Sequence, residues 1–100
     1  MRFVVTDQAR DDLKDIGRYG RRTWGAEQSR AYLRLIIKVF AQVMIHPGRG
    51  RRQEHLSADL RRLNVREHAV FYATRGEDVV IARVLHQRAD IRPEMFEGGD

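Results

Sequence analysis

The residues with the most chemical capacity in this sequence are histidines, arginines and one glutamate in its second half. Cleaving an RNA strand through its 2′-hydroxyl requires a base, cations for the scissile phosphate and an acid for the leaving oxygen. Glu54 or His55 could serve as base, Arg61 and Arg88 as cations, and His86 as acid. Their surroundings in the sequence favour a plainer reading. Glu54 and His55 fall in a polar stretch where such residues are ordinarily solvated. His86 closes an apolar run, where a histidine more often hydrogen-bonds the fold together than transfers protons. His68 stands at the start of another strand-like run and suggests no role. His55, His68 and His86 have no metal-ligand spacing, and the chain has no cysteine. No phosphate-cradling glycine loop or nucleophile elbow is present. The residues therefore point to binding, with no catalytic residue, metal or cofactor expected.

Charge narrows the class of partner. The formal net charge is +5, and most of the positive side is arginine. Between residues 46 and 66, Arg49, Arg51, Arg52, Arg61, Arg62 and Arg66 face only Glu54 and Asp59. Arginine's planar fork suits phosphates and carboxylates, so a polyanion or an acidic protein is the natural counterpart. Arg61, Arg66 and Arg88 are expected at one end of a sheet. Among the aromatic residues, Tyr19, Tyr32, Phe40, Phe71 and Tyr72 are spaced for core packing, and Trp24 is the main surface candidate.

The elements that must carry these residues can be read in order. Arg2 to Val5 is a short apolar strand. Thr6 is a helix N-cap with Asp7 in the first turn, and Ala9, Leu13 and Ile16 form a helical stripe. The stripe extends through Tyr19 to a turn at Trp24-Gly25. A second helix from about Ala26 to Ile45 buries Leu33, Ile36, Ile37, Phe40, Val43 and Met44, and Pro47 follows its end. Gly48 to Asp59 reads as a basic loop. Leu60 to Val65, His68 to Thr74 and Val79 to Leu85 read as strands joined by turns at Arg66-Glu67 and Arg75 to Asp78. The tail contains Pro93 and a short turn at Glu94-Met95-Phe96, and 93–100 is expected to be loose, with Gly98-Gly99-Asp100 fraying.

The order β-α-α-β-β-β predicts an α+β fold in two layers, a helical hairpin on a twisted antiparallel sheet. At 100 residues the chain has room for one domain spanning 1–100. No apolar run approaches the roughly 20 residues of a membrane span, and no signal-peptide pattern opens the chain. A cytoplasmic location is expected.

Set in that order, the residues resemble the RelE/ParE toxin superfamily, and its ParE branch more closely. Thr6, Ala9, Asp12-Leu13, Ile16 and Tyr19 are similar to the pattern T-P-x-A-x-x-D-L-x-x-I-x-x-Y, with Asp7 at the usual proline. Thr23-Trp24-Gly25 is similar to the helix-joining turn, and Ala31-Tyr32 to the opening of the second helix's buried face. Pro47-Gly48-Arg49-Gly50-Arg51 is similar to P-x-x-G-R and Leu60-Arg61 to the L-R that follows. Val70-Phe71-Tyr72 and Ile81-Ala82-Arg83-Val84-Leu85-His86 are similar to I-F-Y and I-x-R-V-L-H. The resemblance covers residues 3 to about 92.

What the resemblance implies is a toxin of a type II toxin–antitoxin system, made with a small antitoxin whose C-terminal segment wraps it. ParE-like members are described as poisoning DNA gyrase, so nucleic acid would be met only indirectly. RelE-like members instead cut mRNA on the ribosome, the alternative for this fold. The lysine-rich set and late tyrosine of those nucleases have no counterpart here: Lys14 and Lys38 lie on helices, and Phe96 stands where a tyrosine would serve. On this reading Arg49, Arg51, Arg52, Arg61, His86 and Arg88 are candidate target contacts. Tyr19, Trp24, Arg61 and Arg83 are candidate antitoxin contacts.

Overall fold

The structure, a computed structural model, describes residues 2–97. Thr6 begins the organisation of the fold. Its hydroxyl accepts from the Ala9 amide at 3.1 Å, capping helix α1 (Asp7–Trp24), and donates to the Ala82 carbonyl at 2.9 Å. One side chain therefore starts the helix and fixes it to the sheet. Gly25 takes φ 95°, a left-handed value that a residue with a Cβ rarely adopts, and turns the chain into α2 (Ala26–Ile45). The helices pack closely because Gly17 and Gly20 face Ser29. The Ser29 hydroxyl donates to the Gly17 carbonyl at 2.9 Å, and a Cβ at Gly20 would lie 2.7 Å from the same oxygen.

The sheet comprises β1 (Phe3–Val5), β2 (Arg51–Arg52), β3 (Arg61–Val65), β4 (His68–Arg75) and β5 (Asp78–His86), in the spatial order β1-β5-β4-β3-β2. The sequence reading is corrected at two points. The sheet is mixed, because β1 lies parallel to β5 with Phe3 beside Val79. A three-residue apolar strand has the same pattern in either direction, so its own residues carry no mark of orientation. The supposed loop 48–59 is overlapped at its start by a short 3₁₀ turn (Pro47–Arg49) and contains the two-residue strand β2, paired antiparallel to β3.

Alternation along the strands gives the sheet two apolar faces. Val70, Tyr72, Val79, Ile81 and Val84 meet Ile36, Phe40 and Val43 of α2 and Ala9 of α1 in the main core. On the opposite face, Ala69 and Phe71 are covered by Leu56 and Leu60, with Ile91 and Phe96 packed against them. The segment after β2 and the tail thus close a face that a two-layer reading leaves open. Within the tail, Pro93–Phe96 forms a 3₁₀ turn that sets the Phe96 ring 5.0 Å from that of Phe71. The expected fraying at 98–100 lies outside the described residues. No described helix is long and apolar enough to cross a membrane.

Candidate functional site

Strand register separates the candidate residues into two regions. Val65 pairs with His68 and His68 with His86, whereas Arg61 pairs with Tyr72 and Tyr72 with Ile81. Ile81 and His86 are five residues apart on one strand, roughly 16 Å. Arg66 and Arg88 therefore share an end of the sheet with His86, but Arg61 does not join them, contrary to the sequence expectation. Glu54 and His55 follow β2 at the Arg61 end. The residues read as base and acid of a nuclease accordingly sit at opposite ends of the sheet.

The first region is an open pocket of about 540 Å³ between the end of α1 and the ends of β4 and β5. Tyr19 and Trp24 form its apolar wall, 62% and 41% exposed. Glu67, His68, His86 and Arg88 form its polar side. The rings run in a continuous series, edge-to-face except for a tilted contact between Tyr32 and His68. Tyr19 lies 5.8 Å from Trp24, Trp24 6.1 Å from Tyr32, Tyr32 5.4 Å from His68 and His68 5.3 Å from His86. His68, to which the sequence assigned no role, links Tyr32 to His86 in this series.

Hydrogen bonds tie the cluster together. The Tyr32 hydroxyl lies 2.6 Å from His68 Nδ1 and 3.3 Å from the Val65 carbonyl. Burial, then the neighbouring His86, holds His68 below its ordinary pKa, against the pull of Glu67 in the other direction. Tyr32 has one hydroxyl proton for its contacts with His68 and Val65, so His68 Nδ1 accepts it in one tautomer, and in the other donates to the hydroxyl while Tyr32 donates to Val65. Burial likewise pushes the Tyr32 hydroxyl up, so it remains a donor. His86 Nδ1 accepts from the Arg88 amide at 3.1 Å, which leaves Nε2 toward Glu67 at 3.6 Å. The polar groups here serve one another, and the exposed feature is the pair of large aromatic rings.

The second region is the edge made by β2 and β3. Arg51 stands opposite Arg62, and Arg52 opposite Arg61. The backbone beneath them is firmly tied. The buried Tyr72 hydroxyl accepts from the Gly50 amide at 2.7 Å and donates to the Pro47 carbonyl at 2.8 Å. Gly50 has no space for a side chain, since a Cβ would lie 2.6 Å from that hydroxyl. Arg61 donates to the carbonyls of Gly50 at 2.8 Å and Gly48 at 3.2 Å, so it braces the loop. Arg52 lies 3.5 Å from Glu54, and Arg62 donates to Asn64 and covers the Phe71 ring. Arg49 and Arg51 make no side-chain hydrogen bond or ion pair among the described residues.

Arg83 has an internal task. Its guanidinium grips both oxygens of Asp12 at 2.8 and 2.9 Å and donates to the Met95 carbonyl at 3.2 Å. The side chains of Arg83 and Asp12 are only 20% and 10% exposed, and the paired carboxylate raises the arginine's pKa. Asp12 also accepts from the Val84 amide at 2.9 Å, where β5 has run past its pairing with β1. An aspartate of α1 thus stands in for the missing strand. The sequence held both halves, the D-L of α1 and the R-V-L of β5, but gave no sign that they meet.

Comparison with known proteins follows the same outline. Residues 3–91 match the family described as ParE toxin of type II toxin-antitoxin system, parDE. The chain is 39% identical over 93 residues to Toxin ParE1 of Caulobacter vibrioides, covering 93% of this chain and 96% of that one. It is 33% identical over 96 residues to Toxin ParE of Escherichia coli, covering 95% and 93% respectively. A solved structure titled Chromosomal ParDE TA system from P. aeruginosa superposes with a TM-score of 0.76 at 20% identity, covering 86% of this chain and 95% of that one.

Proposed function

The chain belongs to the ParE toxin family of type II toxin–antitoxin systems, and from that premise we propose that it inhibits DNA gyrase by binding and is neutralised by a cognate antitoxin. One observation carries the surface assignment. Tyr19 and Trp24, read as antitoxin contacts, and His86 and Arg88, read as target contacts, line the same pocket. Exposed aromatic rings beside an arginine are what a tight protein interface buries at its centre. Antitoxin and target therefore compete for this pocket, and neutralisation is occlusion.

A second surface suits the wrapping segment of the antitoxin. A groove of about 850 Å³ runs along α2, with Phe3, Leu33 and Ile37 in its apolar lining and Arg30, Arg34 and Lys38 on its rim. An amphipathic helix with acidic flanks fits such a groove. The antitoxin's helix lies there and its continuation covers Tyr19 and Trp24. Arg61 and Arg83, braced within the chain, are not the anchors.

The proposed action is not enzymatic. A nuclease mechanism needs base and acid around one phosphate, and the separation of Glu54 and His55 from His86 supports binding instead. Gyrase works in the cytoplasm, and on this reading the toxin does too. The test is a pair of titrations with Trp24→Ala, one against antitoxin and one against gyrase. Shared use of the pocket predicts that both affinities fall at least tenfold. Loss of one affinity with the other unchanged contradicts occlusion.

A further inference from the structure

Gyrase and antitoxin, as assigned above, leave the β2–β3 edge without a task. There Arg49, Arg51 and Arg62 line a hollow of about 530 Å³, together with Gln53, Leu63 and Asn64. We propose that this hollow binds the phosphodiester backbone of a nucleic acid directly, whichever protein the toxin inhibits.

Three features of the edge support the assignment. First, the strand pairing is unfavourable for its own stability. Like charges directly opposite across a strand pair repel, and here Arg51 faces Arg62 while Arg52 faces Arg61. Glu54 offsets Arg52 and backbone carbonyls offset Arg61, but Arg49 and Arg51 are exposed with no acid beside them among the described residues.

Second, the scaffold holds the backbone beneath these charges in place. Tyr72 and Arg61 fix residues 47–50 from one side. The buried Gln53 fixes the other, with its amide nitrogen donating to the Arg52 carbonyl at 3.0 Å and its backbone joined to Leu60 at 2.8 Å. A loop that merely needed solubility would require none of this. Mutually repelling cations carried on a fixed backbone are preorganised in part for an anion, because the backbone's ordering cost is met during folding.

Third, the lining suits phosphate better than an acidic protein. Protein interfaces are anchored by buried aromatic or aliphatic side chains. Among the described residues, the exposed large apolar ones, Tyr19, Trp24, Ile37 and Ile45, all belong to the helices. The hollow presents guanidinium groups with the side-chain amide of Asn64, the kind of set that contacts phosphate oxygens without reading sequence.

The test is fluorescence anisotropy of a short labelled DNA duplex with the purified chain, repeated across a salt series. Arg49→Ala/Arg51→Ala is compared with Lys14→Ala/Arg75→Ala, which removes the same charge from exposed positions elsewhere. The proposal predicts that loss of two phosphate contacts lowers the slope of log affinity against log salt by about 1.8, at about 0.9 per contact. Affinity at low salt should fall at least tenfold, while the control pair keeps the wild-type slope. Circular dichroism on both variants confirms folding. An RNA duplex that binds with the same arginine dependence also supports backbone recognition. Equal slopes for both variants reduce the binding to net charge and overturn the proposal. So does absence of duplex binding, or arginine-dependent binding of poly-glutamate alone.

Discussion

The two ends of the sheet use polar side chains in opposite ways. At the pocket end, Tyr32, His68, His86 and Glu67 engage one another, and aromatic rings are left on the surface. At the β2 edge, hydrogen bonds are spent on the backbone, through Tyr72, Arg61 and Gln53, and charges are left on the surface. The first surface rewards a partner that removes apolar area from water, and its affinity should depend little on salt. The second rewards a partner carrying fixed negative charge, with affinity that falls steeply as salt rises. Within one small domain, two recognition chemistries are kept about five strand residues apart.

The largest effect that can disturb this arrangement lies in the brace between helix and sheet. Asp12→Ala leaves the nearly buried Arg83 guanidinium and the Val84 amide without their acceptor. Breaking a buried pair on one side should lower the unfolding free energy by about 3 kcal/mol, measured by urea denaturation. Because Arg83 also holds the Met95 carbonyl, the tail should lose amide protection with it.

Next comes the anchor of the arginine edge. Tyr72→Phe removes the one hydroxyl shared by the Gly50 amide and the Pro47 carbonyl, at a cost of about 2 kcal/mol. The comparison sharpens if hydrogen exchange speeds up across 48–53 while the amides around His68 are unchanged. Uniform acceleration over both ends would show that they are not independent.

A pH titration probes the pocket end through His68. His68 is held below its ordinary pKa of 6.5, so the unfolded chain takes up its proton first as pH falls. The stability contributed by the neutral ring is present above about pH 6.5 and declines as the solution is acidified below that value. Melting temperatures of the wild type should therefore fall more steeply between neutral and acid pH than those of His68→Gln.

The smallest effect is expected at Arg52→Ala. Its pair with Glu54 is exposed on both sides, and stability should change by less than about 0.5 kcal/mol. A larger loss would mean that β2 depends on its side chains and not on the anchors beneath it.

Much of this was legible in the sequence because it is local. The Thr6 cap, the glycine turn at Gly25, the stop before Pro47 and the turns between β3, β4 and β5 depend on residues a few positions apart. The chain of motifs from Thr6 to His86 was sufficient to indicate the family. What escaped depends on pairing across distance. The parallel placement of β1, the Asp12–Arg83 grip and the position of His68 between Tyr32 and His86 join residues from 18 to 76 positions apart. A single leucine among polar residues has no period, so nothing local marks Leu56 as the cover of Phe71 on the second face. The arginines were identified as a set, but only register could show that Arg61 and Arg88 belong to different ends.

The central claim, a toxin that acts on gyrase by binding, is tested most directly with purified gyrase, plasmid DNA and this chain. The account predicts that linear DNA accumulates in proportion to toxin, disappears when antitoxin is added first, and is sharply reduced with Trp24→Ala. Unchanged supercoiling and no trapped cleavage, from protein that still arrests growth, would contradict it.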